Sequence, residues 1–190
     1  MKILTMMTLL SLSSAALAVE PQQVDLYLKA TRGEAGAAAN AYASLSQSLA
    51  SAGADPLTLV YAGSARTLMG REARDPATAG RFTQEGLTLI RQALAATGDE
   101  QLARQHQGLR EGDYINAIAA ATLTSVPEFF GTHSQGLALF ESLLADPGFV
   151  ATPAPARAWV VPFALTAAQQ QGRSELVEQW SKLLLSSGND

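Results

Sequence analysis

The chain has no cysteine. Disulfides, thiolate zinc sites, iron–sulfur clusters and a cysteine nucleophile are thereby excluded together, and so is a lipid anchor carried on a cysteine thiol. Histidine is nearly as scarce. His106 and His133 are the only two, and their separation matches neither H-x-x-x-H nor H-E-x-x-H, the spacings that place two imidazoles on one helix face around zinc. Only 16% of residues are charged, and acids outnumber bases 17 to 13 for a formal net charge of -4. A nucleic-acid interface needs a basic excess, so that class is excluded. Alternating runs of Val, Ile and Thr, the mark of half-buried strands, are missing, as are phosphate-binding glycine patterns and N-x-[ST] sequons.

What the chain does have is alanine, 35 of 190 residues, within an apolar fraction of 47%. Alanine is the best helix former, and a chain of this length buries one sizeable core. Part of the apolar content reads as a targeting signal. Met1 and Lys2 form a short positive n-region, Ile3 to about Leu12 an apolar h-region, and Ala16-Leu17-Ala18 a small-residue cleavage pattern. Residues 1–18 are therefore expected to be a signal peptide cut after Ala18. The apolar run, about 16 residues, falls short of the roughly 20 that a membrane anchor needs. The mature chain, 19–190, is expected to be a single all-α domain, periplasmic or secreted, with no membrane insertion after cleavage.

The periodicity predicts helices near 22–31, 34–51, 56–71, 77–96, 100–125, 133–145, 155–171 and 174–187. Three apolar stripes carry much of that map: Phe82, Gly86, Leu89, Ile90, Ala93 and Leu94; Leu137, Phe140, Leu143 and Leu144; and Leu176, Val177, Trp180, Leu183 and Leu184. Between Leu57 and Met69 there are two stripes, Leu57, Val60, Tyr61, Ala65 and Leu68 beside Leu59, Ala62, Gly63 and Met69, so that helix must be covered on two sides. Asp55-Pro56 and Asp75-Pro76 each supply an N-cap carboxylate before a proline at the first helical position. Thr31-x-x-Glu34 and Thr132-x-x-Gln135 fit the capping-box pattern. Gly53, Gly70, Gly98, Gly172 and Gly188 are read as stops, Pro127 as the end of the fifth helix, and Pro162 as a kink or a delayed start in the seventh. Gly108 and Gly112 are candidate breaks in the fifth helix, and 146–155 is read as a proline-rich connector.

Internal repeats are the most informative feature. Leu59 to Arg71 and Ala158 to Arg173 both end in Gly-Arg, and each is followed by a second helical unit, Phe82 to Leu94 and Glu175 to Leu185. Ala37 to Leu49 and Gln135 to Leu144 are two further second units, followed by Asp-Pro at Asp55-Pro56 and Asp146-Pro147. This resembles the tetratricopeptide repeat (TPR) family over about 150 residues. Gly63 falls at that family's small, close-contact position, Ala93 and Leu183 at its second-helix apolar site, and Trp180 at its aromatic one. The units, counted from Gly53 to Gly98, Gly98 to Pro147 and Pro147 to Gly188, are longer than the family's roughly 34 residues. Leu59 and Val161 replace its early aromatic, and Arg66 stands at an aromatic site. The resemblance implies antiparallel helix pairs stacked as a TPR-like right-handed solenoid; the alternative fold is a compact all-helical bundle.

No catalytic constellation emerges. Gly131-Thr-His-Ser-Gln-Gly136 misses the nucleophile elbow G-x-S-x-G by one glycine position, and adjacent helical residues such as His133 and Ser134 point about 100° apart. Glu128 precedes Phe129 and Phe130 and is read as a cap or a water-facing group beside two rings that fill a helix junction. Arg71 and Arg173 are read as turn residues that complement helix C-termini. The chain is therefore expected to be non-enzymatic, with no cofactor and no metal, and to bind a peptide or partner protein in the bacterial cell envelope. The groove would be assembled from 56–71, 100–125 and 155–171, with Tyr61, Ser64, Thr67, Tyr114, Asn116, Trp159, Gln169 and Gln170 as contact candidates. The alternative function is a soluble carrier of a small apolar ligand, lined by Phe129, Phe130, Phe140, Phe149 and Phe163.

Overall fold

The computed structural model describes residues 19–186, so the signal-peptide reading of 1–18 and the stop at Gly188 lie outside the described residues. The described chain is all-α. In order it runs α1 (Pro21–Thr31), α2 (Ala37–Ala52), α3 (Pro56–Glu72), α4 (Pro76–Ala96), α5 (Asp99–Ala103), β1 (Gln105–His106), β2 (Leu109–Arg110), α6 (Glu111–Ser125), a 3-10 turn (Glu128–Phe130), α7 (His133–Ala145), α8 (Pro147–Val150), α9 (Ala154–Arg157), α10 (Val160–Gln170) and α11 (Ser174–Ser186). α1 packs on α2, α3 on α4, α6 on α7 and α10 on α11. Each pair also touches the next, α2 on α3, α4 on α6 and α7 on α10.

The starts of α3 and α4 follow from the sequence. Asp55 accepts from the Thr58 amide at 3.0 Å and Asp75 from the Thr78 amide at 2.8 Å, each satisfying a donor that the first helical turn leaves open. Pro127 stands just beyond α6, and Pro162 falls in the first turn of α10, whose start is delayed to Val160 behind the short α9. Three expectations need correction. Thr31 lies at the end of α1, where its hydroxyl donates to the Leu28 carbonyl, and Thr132 donates to the Leu123 carbonyl, so neither side chain forms a capping box. The connector 146–155 is not wholly irregular, because α8 forms there behind the Asp146 cap on the Gly148 amide. The predicted helix 100–125 is interrupted by a hairpin pairing Gln105 with Arg110 and His106 with Leu109. Gln107 (φ 51°) and Gly108 (φ 81°) supply the two left-handed residues of its turn.

α3 and α6 are the most deeply covered helices, and in α3 the residues from Pro56 to Ala65 are all buried, as the two apolar stripes required. Its contact with α4 is close enough to exclude side chains. A methyl group at Gly86 would lie 2.5 Å from the Gly63 carbonyl oxygen and 2.6 Å from Thr67 Cγ2, and one at Gly63 would lie 2.8 Å from the Gly86 carbonyl oxygen. Gly70, expected as a stop, is instead inside α3, pressed on Thr83 and Ala79 of α4. Where Gly70 meets Thr83, Gly63 meets Gly86 and Ile90, so the two helices run antiparallel. Arg66 ties three helices together: its guanidinium lies 3.9 Å from the Phe82 ring centre and 4.5 Å from that of Tyr42, and its Nε donates to Glu85 at 2.8 Å. Arg66 of α3 thus lies against a ring from each of its neighbours, Tyr42 of α2 and Phe82 of α4. The stripe of α7 is buried as predicted, whereas the buried face of α4 is centred on Thr83, Leu87 and Ile90 and leaves Phe82, Leu89 and Leu94 half-buried.

Gly80, also within α4, behaves differently, because a methyl group there meets nothing within 4 Å. Two substitutions in one helix therefore have opposite signs. Gly86→Ala should lower stability by about 1–3 kcal/mol through overpacking, and Gly80→Ala should raise it by about 0.5–1 kcal/mol through helix propensity, both measured by urea unfolding. Equal effects at the two positions would contradict the close contact.

Candidate functional site

α1, α3, α6 and α10 pack on one another in succession along one face of the molecule, and polar side chains of α1, α3, α6 and the hairpin are bound to one another there. The Tyr27 and Ser64 hydroxyls lie 2.9 Å apart, and Thr122 reaches Ser64 at 3.0 Å while donating to the Ile118 carbonyl. Three helices, α1, α3 and α6, meet through this buried serine. One step away, Tyr61 donates to the Tyr114 hydroxyl at 2.8 Å and lies 2.9 Å from His106 Nε2. Tyr61 has only one hydroxyl proton and gives it to Tyr114, so it accepts from His106, which assigns the imidazole proton to Nε2. Burial raises the pKa of all three phenols, and they remain protonated. Aromatic contacts continue the series: Tyr27 on Tyr61 at 4.8 Å, His106 on Tyr114 at 4.6 Å and Trp159 on Phe163 at 6.3 Å meet edge to face, and Tyr114 meets Trp159 tilted at 5.6 Å.

The hairpin that carries His106 is held at both ends by arginines. Arg104 pairs with Asp55 (3.3 Å), Glu100 (3.1 Å) and the buried Glu111, and Arg110 pairs with the buried Asp113 (2.6 Å) and with Asp146. Asp55 therefore caps α3 and anchors the hairpin at once.

Two grooves open on this face. The larger, about 710 Å³, lies between the ends of α3, α4 and α6, the Glu128–Phe130 turn and α10, with Leu68, Gly80, Phe129, Phe130 and Phe163 among its walls. The smaller, about 400 Å³, lies between α1, the hairpin turn, α6 and α10 and is lined by Tyr27, Leu28, Gln107, Tyr114, Trp159 and Phe163. Phe163, 45% exposed, belongs to both, and Phe129 is 83% exposed. The two rings of Phe129 and Phe130, 4.5 Å apart, thus do not fill a helix junction as expected; one of them faces solvent.

The predicted contact residues separate into three groups. Tyr61 and Ser64 are buried and engaged in the networks above, so they support the face from beneath and do not touch solvent. Thr67 and Gln170 line the larger groove, and Tyr114 and Trp159 line the smaller one. Asn116 is half-buried and Gln169 exposed, and neither is among the residues lining these two grooves. Phe140 and Phe149 are fully buried in the core, apart from the groove that Phe129, Phe130 and Phe163 share. Sequence reasoning missed His106 as a bonded member of the cluster and Gln107 as a groove residue, because both sit on the hairpin hidden in a predicted helix. His133 Nε2 lies 2.6 Å from the Val126 carbonyl oxygen, to which it donates, and Thr132 is tied to Leu123. Among the described residues there is no group of three or more His, Asp or Glu placed to hold a metal, and no helix long and apolar enough to cross a membrane. No family model, curated protein or solved structure matches the chain.

Burial pushes the His106 imidazole below its ordinary 6.5, outweighing the opposite pull of the Asp55 carboxylate. The folded state then binds fewer protons than the unfolded chain once the pH drops below about 6.5. Stability should therefore fall as the pH is lowered from 7.5 to 5.5, and His106→Gln should flatten that part of the profile. Glu111, whose pKa burial raises, acts with the opposite sign nearer its own ordinary range, so the difference between wild type and variant is the quantity to measure. An unchanged slope in the variant would show that His106 titrates as it does in the unfolded chain.

Proposed function

We propose that this chain is an exported, non-enzymatic interaction module, a TPR-like right-handed solenoid of helix pairs whose inner face binds a peptide or a segment of a partner protein in the bacterial periplasm or outside the cell. The observation that carries this reading is the position of the exposed apolar side chains. Five large hydrophobic residues among those described are exposed, and three of them, Leu28, Phe129 and Phe163, stand on the two adjoining grooves. Exposed apolar surface gathered in a groove marks an interaction site more strongly than the same residues scattered singly. The order of contacts supports the solenoid, since each helix pair packs on its sequence neighbour and α1, α3, α6 and α10 share one face. That arrangement offers an extended binding surface, as stacked repeats do in general.

The larger groove also favours a second reading, a soluble carrier of a small apolar ligand, because its volume of about 710 Å³ lies within the range of small-molecule pockets. Position-specific photocrosslinking in cells of the source organism separates the two. A photoreactive phenylalanine analogue in place of Phe163 should give one discrete protein adduct, and the same group in place of Arg91, exposed on α4 away from both grooves, should give none. Phe129→Ser should weaken the adduct at 163 several-fold without lowering stability. No adduct at 163, together with a small molecule retained in native mass spectrometry, would replace the interaction reading with the carrier.

A further inference from the structure

The geometry points to the larger groove as a binding site for an aliphatic carboxylate: a chain of methylenes lying against Phe129, Phe130 and Phe163, with its carboxylate paired to Arg71. This inference deepens the carrier reading of that groove and does not require the partner-protein reading.

Arg71 is the one arginine or lysine lining either groove. Its Nη2 donates to the Ala30 carbonyl at 3.3 Å, which steadies the side chain, yet it forms no ion pair with any described carboxylate. Arg66 of the same helix and the hairpin arginines Arg104 and Arg110 each pair with an acid, and Arg74, Arg81, Arg91 and Arg157, which also form no ion pair with a described acid, line neither groove. A guanidinium has five N–H donors in a planar fork that matches a carboxylate, so at the edge of an apolar groove it selects an anion with two oxygens. One acid, Glu128, also lines the groove, at a different end. It belongs as well to the neighbouring depression formed with His133, Ser134 and Gln171, which Arg71 does not reach. A ligand with one charged end is therefore oriented, its carboxylate toward the α3 terminus and its uncharged tail toward the Glu128–Phe130 turn.

Gly80 shapes the floor of the same groove. A glycine inside a helix costs about 1 kcal/mol relative to alanine, and the usual reasons for one are a close neighbour or a left-handed backbone. Gly80 has neither. It is in the middle of the first half of α4, a side chain there meets nothing within 4 Å, and the space it leaves is the groove itself. Gly63, Gly70 and Gly86 on the same pair of helices are all forced by contact, which makes Gly80 the exception. Its missing side chain keeps the floor of the groove low enough for an alkyl chain to lie beneath Phe129 and Phe163.

Isothermal titration of the mature protein with sodium dodecanoate, and in parallel with dodecanol, tests the assignment below the micelle-forming concentration. Dodecanoate is expected to bind at one site and more tightly than dodecanol. Arg71→Gln should weaken dodecanoate about fivefold, the scale of a partly exposed ion pair, and leave dodecanol unchanged. Gly80→Leu should remove binding of both while keeping or raising the melting temperature, so a loss of binding there is not a loss of fold. Equal affinity for the two probes with no effect of Arg71→Gln would overturn the carboxylate assignment and leave an uncharged apolar ligand in its place. Absence of saturable binding by either probe would overturn both the assignment and the carrier reading on which it rests.

Discussion

The approach of α3 to α4 at Gly63 and Gly86 sets the spacing on which the other helices are built, because two backbones that nearly touch cannot slide or splay without losing contact along their whole length. α3 is the axis of the molecule in consequence. With α4 held against one side, its second apolar stripe is left for α2, and its polar positions Tyr61 and Ser64 are turned toward α1 and α6. Those groups are then buried, and burial obliges them to find partners. Tyr27 of α1, Tyr114 and Thr122 of α6 and His106 of the hairpin provide them.

This explains why the inner face can carry grooves at all. A helical stack that buried every apolar side chain would leave nothing for a ligand, and one held only by apolar contact would collapse into the space. Here the floor is fixed from beneath by directional bonds among Tyr27, Ser64 and Thr122 and among His106, Tyr61 and Tyr114, which hold α1, α3, α6 and the hairpin at set distances. Above that floor Phe163 stands half out of the protein between two depressions. Arg104 and Arg110 hold the hairpin that closes one end of the smaller groove, so their ion pairs fix the edge of that groove.

The parts of this arrangement that were legible in the sequence are the local ones. Asp55-Pro56 and Asp75-Pro76 fix helix starts through bonds spanning three residues, and the double stripe of α3 announced a helix covered on two sides. The parts that were not legible depend on distant partners. Thr31 and Thr132 have the composition of capping residues, but a threonine hydroxyl also bonds backwards to a carbonyl, and here it does. The hairpin at Gln105–Arg110 has strands of two residues, too short to show any alternation, and Gln107 in a left-handed turn is not a residue that signals one. Gly70 and Gly80 look alike in a sequence; only the position of α4 against α3 shows that one is a contact and the other an opening. Tyr61 and Ser64 read as surface candidates because nothing local reveals that Tyr27 and Thr122, far away in the chain, lie over them.

Residue-resolved amide hydrogen exchange on residues 19–190 tests the central claim, that α3 is the axis about which the other helices pack, most directly. Exchange rates report the free energy of opening each element, and a helix covered on both sides opens only with the whole domain. The account predicts that the amides from Leu59 to Ala65 exchange most slowly of all, with α6 next, and that α1 and α11 exchange fastest among the long helices. Protection that is greatest in α10 and α11, or uniform across all pairs, would contradict it.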